Sequence, residues 1–168
     1  PWIIKKNAKG KSIIELKNAI RLDSKNGEAR FLLGKVYLNL GDGPAASKEL
    51  ERAHSLKYAG NKVIPLLARA YILTDSDDDV LSLSTEANKL SQEEQSQYLA
   101  YQTLAALRSE QLDLAKQSAE LAQSLGQQSQ YSMLASAYLL LSENKYEEVQ
   151  TLLSRILTID AKQVDTLM

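Results

Sequence analysis

Four acidic side chains have the spacing that supplies calcium oxygens in an EF-hand loop. Asp75, Asp77, Asp79 and Glu86 occupy the first, third, fifth and twelfth positions of such a count. The sixth position requires glycine for a sharp turn, and this chain has Val80 there. The run Asp77, Asp78 and Asp79 instead suits a helix N-terminus, where carboxylates cap free N–H groups and complement the helix dipole. We therefore predict a helix start and no metal site.

The chain offers few groups for catalysis. His54 is the only histidine and there is no cysteine, which excludes thiol nucleophiles, histidine-cluster metal sites and most nucleophile–base pairs. The stretch 41–44 contains two glycines but lacks the Lys and Ser or Thr of a phosphate-binding loop. We predict a protein that is not an enzyme and that holds no cofactor.

Charge is distributed unevenly along the chain. Residues 1–60 carry twelve Lys or Arg against six Asp or Glu, whereas residues 61–168 carry eight against fifteen. Such asymmetry can steer an anionic partner to the N-terminal third, although a solvated basic helix face explains it equally simply. The pI near 5.9 and the lack of aromatic residues among the lysines of 5–11 argue against nucleic acid. We predict no nucleic-acid partner.

The sequence leaves the cellular compartment open. The longest apolar stretch, 133–141, is interrupted by Ser136 and falls well short of the roughly 20 residues that cross a bilayer. Residues 1–4 lack a signal-peptide profile and are typical of a helix end, so we expect a fragment of a longer protein. A chain without cysteine is compatible with either the cytosol or the periplasm.

Small and aromatic residues recur at a step of 34 residues. The matched residues are Leu33, Gly34 and Tyr37, followed by Ala46, Leu50 and Ala53, in one copy, and Leu67, Ala68 and Tyr71, followed by Val80, Ser84 and Ala87, in the next. A fixed period of this length is typical of helix-turn-helix arrays. The Gly or Ala lets two helices approach, and we expect the tyrosine ring to be buried in the remaining space.

This register predicts a single array over residues 1–168. Its parts are a partial repeat at 1–26, repeats at 27–60, 61–95, 96–127 and 128–161, and the start of a further helix at 162–168. Ala135 and Tyr138 stand for Gly34 and Tyr37 in the last repeat, whose turn at 142–145 we expect to be about two residues longer. Asn61 is expected to cap a helix. Neither end has a polar capping repeat, so we expect exposed apolar surface or a covering partner there.

With Leu-Gly-x-x-Tyr at 33–37 and Ala-x-x-x-Leu-x-x-Ala at 46–53, nearly the whole chain resembles the tetratricopeptide repeat (TPR) family. It departs from the family pattern by lacking the Trp of position four, replaced by Arg30 and Ile64, and the Pro of position 32, replaced by Tyr58. The resemblance implies an all-α fold, a right-handed superhelical solenoid of TPR helix-turn-helix repeats.

A narrower resemblance lies in segments 13–19, 28–35 and 65–70, which are similar to TPR lipoproteins accompanying exosortase (PEP-CTERM) sorting systems of Gram-negative bacteria. It implies a non-catalytic protein of the envelope, periplasmic or associated with the outer membrane, that serves exopolysaccharide production or protein sorting. Without that resemblance a cytoplasmic location is expected. The lipid-bearing Cys of such proteins is missing here.

The TPR resemblance also implies a concave groove lined by the first helix of each repeat. The groove residues that it assigns here are Phe31, Lys35, Asn39, Arg69, Ile72, Leu104, Arg108 and Ser136. Lys35, Arg69 and Arg108 would form a basic line suited to an extended peptide with acidic groups or a free C-terminus, unless they are ordinary solvated cations. The chaperone-binding clamp requires Lys at the place of Phe31 and Asn at the place of Lys35, so no chaperone tail is predicted.

The resemblance thus predicts a scaffold whose groove binds a peptide or a protein segment. The alternative is a structural assembly factor that self-associates through its open repeat ends.

Overall fold

A computed structural model describes residues 2–126 and 129–165, with side chains described outside 2–9, 11, 61 and 160–165. The described chain is helical and contains no strand. Its α-helices are α1 (Trp2–Leu22), α2 (Gly27–Leu40), α3 (Gly43–Ser55), α4 (Val63–Ile72), α5 (Asp77–Ser82), α6 (Ser84–Ala87), α7 (Gln92–Arg108), α8 (Leu112–Leu125), α9 (Gln130–Ser142) and α10 (Tyr146–Asp165).

The helices form two compact units, Pro1–Ser76 and Asp77–Met168. In the first unit α2 packs against α1 and α3, and α4 packs against both α2 and α3. In the second unit α7 packs against α5 and α8, α9 packs against both α7 and α8, and α10 packs against α9. Within each unit a first helix therefore lies against both helices of the repeat before it.

One turn recurs in every repeat and fixes the register. The residue at its centre has a left-handed backbone conformation, with φ between 52° and 74°; these residues are Gly41, Asp75, Glu110 and Asn144. The next backbone N–H donates to a carbonyl five residues earlier, over 2.8 to 3.0 Å, which satisfies an orphan carbonyl at the helix end. The turns recur at steps of 34, 35 and 34 residues.

This turn corrects the register that the sequence predicts for the last repeat. Lys145 N–H donates to Leu140, as Asp42 N–H donates to Tyr37, so Leu140 stands in the tyrosine's place and not Tyr138. By the same count Ala137, and not Ala135, takes the place of Gly34. The expected longer turn at 142–145 is therefore wrong. The two extra residues come before the helix instead, because α9 begins at Gln130 and the predicted repeat begins at 128.

Gly34 brings α2 and α3 together as predicted. A Cβ atom on Gly34 would lie 2.6 Å from Leu50 Cγ, so only glycine fits this approach. The buried ring expected at Tyr37 is wrong, because Tyr37 is half-buried and has Lys17 Nζ 5.8 Å from its ring centroid.

Several helix ends differ from the expectations. α1 is one helix from Trp2 to Leu22, so residues 2–4 do not finish a preceding helix as expected; residue 1 lies outside the described part. α10 continues to Asp165, so a new helix at 162 is wrong as far as that residue; 166–168 lie outside the described part. A short 3₁₀ turn, Gly60–Lys62, precedes α4, and Lys62 holds the N-cap position without a side-chain cap; the side chain of the expected cap, Asn61, lies outside the described part.

The second helix of the repeat at 61–95 is broken into α5 and α6. Leu83 is buried between them, whereas Ser84, which the repeat pattern places in the core, is exposed. α7 then begins at Gln92, four residues before the predicted boundary at 96. Its start is fixed by a capping box in which Ser91 and Glu94 each bond the other's backbone N–H.

Candidate peptide-binding surfaces

The first unit presents an aromatic and basic surface on α2. Phe31 and Lys35 lie one helical turn apart, which puts both on one face. The Lys35 ammonium stands 5.6 Å from the centroid of the half-buried Phe31 ring, and the Tyr58 ring lies 5.8 Å from the same ring. A Cβ on Gly27 would meet Tyr58 at 2.5 Å, so this glycine admits Tyr58 to the surface. We call Phe31, Lys35 and Tyr58 the α2 patch.

The other predicted groove residues of this unit differ in exposure. Asn39 is exposed at the end of α2, whereas Arg69 and Ile72 are half-buried on α4. Neither Lys35 nor Arg69 has an ion-pair partner among the residues that the structure describes. Both cations are therefore available to a carboxylate from outside the unit.

Arg108 of the second unit is already engaged. Its Nη1 lies 3.5 Å from Asp77 Oδ1, which ties the end of α7 to the start of α5. Burial raises the pKa of the Tyr138 hydroxyl, and the positive charge of Arg108 partly offsets this. Leu104, one turn earlier on α7, is half-buried. Arg108 therefore has partners within its own unit that Lys35 and Arg69 lack.

Ser136 lies in a different place from the one assigned to it. The sequence register predicts the repeat position of Lys35 for it, but the turn at Asn144 gives it the position of Leu33. Its hydroxyl accepts a 2.7 Å hydrogen bond from Gln123 Nε2 on α8 and donates to Ser132 O at 2.9 Å.

Ser136 belongs to a cleft between α8, α9 and α10, which sequence reasoning missed. The cleft has a volume of about 730 Å³ and is lined by Gln123, Met133, Ser136, Leu152, Arg155, Thr158 and Ile159. Among the described residues of this lining, Arg155 alone is charged. The available signal was a lone Arg at the edge of an apolar helix stripe with no Asp or Glu three or four residues away on either side.

The acidic run lies where the sequence predicts. α5 begins at Asp77 and Val80 is buried within it, so the predicted helix start is confirmed. Across residues 2–126 and 129–165, no three His, Cys, Asp or Glu side chains are grouped so as to hold a metal ion. None of the described helices combines the length and apolar character needed to cross a membrane.

Comparison with known proteins supports the fold alone. No protein-family model matches the chain, and no curated protein matches it. The crystal structure of MamA, a TPR-like protein, matches with a TM-score of 0.69 over 96% of this chain and 95% of that chain, at 18% sequence identity. The predicted all-α solenoid fold of TPR type is therefore confirmed. The narrower resemblance to exosortase-associated lipoproteins gains no support.

Proposed function

We propose that this protein is a non-catalytic scaffold that binds a peptide or protein segment on the first-helix faces of its repeats. The α2 patch is the observation that carries the proposal. An exposed ammonium stands over a half-buried aromatic ring there, with a second ring beside it. Such a surface offers one charge and an apolar area to the same ligand.

The chemistry of this surface favours a ligand that joins carboxylate and apolar groups. Lys35 and Arg69 have no acidic partner among the described residues, so a ligand carboxylate would not have to displace one. Phe31 and Tyr58 would pack against an apolar side chain of the ligand. Arg108 contributes less to this proposal, since Asp77 already holds it.

The test uses short synthetic peptides in which apolar residues surround one Glu, with a Gln version of each, and measures binding by fluorescence polarisation. Double charge reversal, Lys35→Glu with Arg69→Glu, should weaken the tightest Glu peptide bound by the first unit by roughly 10- to 100-fold, or about 1 to 3 kcal/mol. The matched control is Lys48→Glu, since Lys48 is exposed on α3 outside the α2 patch. Equal affinity of the double variant and the parent for every peptide contradicts binding at the α2 patch and Arg69.

An envelope role in exopolysaccharide production or protein sorting is the finer form of this proposal and rests on the narrower resemblance alone. The N-terminus of the full-length protein and its gene neighbourhood test it. A lipid-attachment motif beside exosortase genes supports the role, and their absence removes it.

Self-association through a repeat end is a second candidate, favoured by an apolar face on α9 and α10. Leu141 and Leu153 are 50% and 43% exposed, whereas Leu38 and Leu50, their counterparts in the first repeat, are 2% and 0% exposed. α4 packs on α2 and α3, and no described helix packs in this way on α9 and α10. Leu157, also on α10, is 68% exposed.

A second copy of this chain is the occupant that charge favours. Glu147 and Glu148 are exposed at the start of α10, and Lys17 and Arg21 are exposed on α1 beside the exposed Ile14. Opposite charges around apolar residues favour head-to-tail contact between copies, which salt should weaken.

Sedimentation analysis tests this candidate in about 50 mM and about 500 mM NaCl. The full chain should associate at low salt, and Leu153→Ser with Leu157→Ser should abolish the association, because it removes apolar area from the contact. Leu112→Ser is the control, since Leu112 is similarly exposed but lies on α8. A parent protein that is monomeric at both salt concentrations removes the candidate.

A further inference from the structure

The cleft between α8, α9 and α10 exists because one repeat position holds an unusually small residue. Leu33, Leu67, Gln102 and Ser136 each stand eight residues before the left-handed residue of their turn. Leu33 and Leu67 are both 1% exposed, and Gln102 is 7% exposed and accepts a 3.0 Å hydrogen bond from the Ser118 hydroxyl. Three repeats thus fill this position with a large buried side chain, whereas the fourth leaves it to a serine.

The walls of the cleft also differ from the first repeat. There, Arg30 Nη1 and Glu49 Oε2 form a 2.8 Å ion pair across α2 and α3. Met133 and Leu152 hold the equivalent positions in the fourth repeat, judged from the same turns. A pair of charges that fills space in one repeat is therefore replaced by apolar side chains that line a cleft in another.

Arg155 adds a single positive charge to this apolar surface. It is exposed, and it makes no hydrogen bond or ion pair with any residue that the structure describes. The other polar side chains of the described lining have partners within the unit: Gln123 Nε2 donates to the Ser136 hydroxyl, and the Thr158 hydroxyl donates to Ser154 O. The electrostatics of the lining therefore favour a ligand with one negative charge.

An unfilled apolar cleft costs stability, since its walls lose packing partners. Proteins commonly keep such a loss where function needs it. We propose that this cleft binds an apolar peptide segment of a partner protein, with one carboxylate of that segment paired to Arg155. The volume of about 730 Å³ lies within the usual range of roughly 300 to 1,000 Å³ for binding pockets. Met133 gives the site an adaptable wall, because an unbranched thioether side chain fits varied shapes.

This inference rests on the proposed scaffold function and names a second site and its ligand chemistry. Ser136→Leu restores the side chain that the first two repeats have at this position and should fill the floor of the cleft. The exposed Gln123 amide would then turn to water. The variant should keep or raise the melting temperature and should weaken binding of a cleft-bound peptide more than tenfold, because the space is gone. Ser136→Val is the smaller alternative if the leucine lowers the melting temperature.

Arg155→Gln tests the charge separately from the space. With the same Glu and Gln peptides, this variant should weaken the Glu peptide about three- to tenfold and leave its Gln version unchanged. Lys116→Gln is the matched control, since Lys116 is an exposed cation on α8 outside the lining. Amidated and free C-termini of each peptide distinguish a terminal carboxylate from a side-chain one.

The outcomes separate this site from the α2 patch. Binding that falls with Ser136→Leu and persists in the Lys35→Glu, Arg69→Glu protein supports the cleft. Binding that falls only with the α2-patch variant overturns the cleft and leaves the scaffold function standing. A peptide set without any binder overturns both.

Discussion

Arg30 joins neighbouring segments by hydrogen bonds at a position where the TPR pattern has a packed Trp. It stands where the TPR pattern has Trp, and its guanidinium donates to Glu49 on α3 at 2.8 Å and to Ser24 O at 3.0 and 3.1 Å. One side chain therefore joins α3 to the segment before α2. The planar guanidinium of Arg has five donors and can bond two partners at once. The indole of Trp has one donor and contributes mainly by filling space.

Tyr98 gives the second unit a predictable response to alkaline pH. Its hydroxyl donates a 3.0 Å hydrogen bond to Val80 O, and burial raises its pKa above that of an exposed tyrosine. The unfolded chain then loses this proton at a lower pH than the folded chain does. The contribution of Tyr98 to stability should be constant below about pH 10 and should fall above it by up to roughly 1.4 kcal/mol per pH unit.

Urea unfolding between neutral and alkaline pH measures this response. Tyr98→Phe should be less stable at neutral pH, because the hydrogen bond to Val80 O is lost and that oxygen keeps only Leu83 N–H among its described partners, but should show a shallower alkaline decline. Tyr146→Phe is the control, since Tyr146 is exposed. An equal decline in the Tyr98→Phe protein and the parent would show that another group is responsible.

At the level of elements, the contact between α2 and α3 depends on Gly34. A Cβ there would meet Leu50 Cγ at 2.6 Å and Cδ2 at 2.8 Å. Gly34→Ala gains helix propensity of about 1 kcal/mol but overpacks the contact by roughly 1 to 3 kcal/mol, so we expect a net loss of up to about 2 kcal/mol. Gly10→Ala, where nothing lies within 4 Å, should be neutral or stabilising.

Chemical denaturation of the two single variants checks this expectation. Leu50→Ala should cost less in the Gly34→Ala background than in the parent, because the two side chains compete for one space. Additive effects would mean that the two helices separate without strain.

The sequence predicts helices better than it predicts their register. Near residues 134–137 two alanines flank Ser136, and either one satisfies the demand for a small residue beside a neighbouring helix. Only the backbone of the turn at Asn144 decides between them. A register built on Ala135 puts Ser136 in the groove and gives no sign of the cleft. That Ser136 is smaller than Leu33 and Leu67 is evident only when the repeats are aligned correctly.

The break between α5 and α6 illustrates a second limit. Leu83 and Ser84 are adjacent, so a repeat count that is off by one residue exchanges a buried side chain for an exposed one. The choice is made by packing against α7, which lies beside α5 and is not visible in the local pattern.

For the whole molecule, the match to MamA indicates which features determine this fold. A TM-score of 0.69 at 18% identity means that most aligned residues differ in type while the backbone fold is shared. The recurring turns and the small residues at helix contacts can specify this backbone with few fixed residue types. The surface residues of each unit are then free to vary without loss of the fold.

The recurring turn also bears on how much change this chain tolerates. Gly41 adopts its left-handed backbone at little cost, but Asp75, Glu110 and Asn144 adopt the same geometry with a side chain, which is unfavourable by roughly 1 kcal/mol for most residue types. Glycine at Asp75 and Glu110 would relieve that steric conflict without touching the α2 patch or the cleft. Such a variant should be more stable and would therefore be a better starting point for evolving new binding specificities.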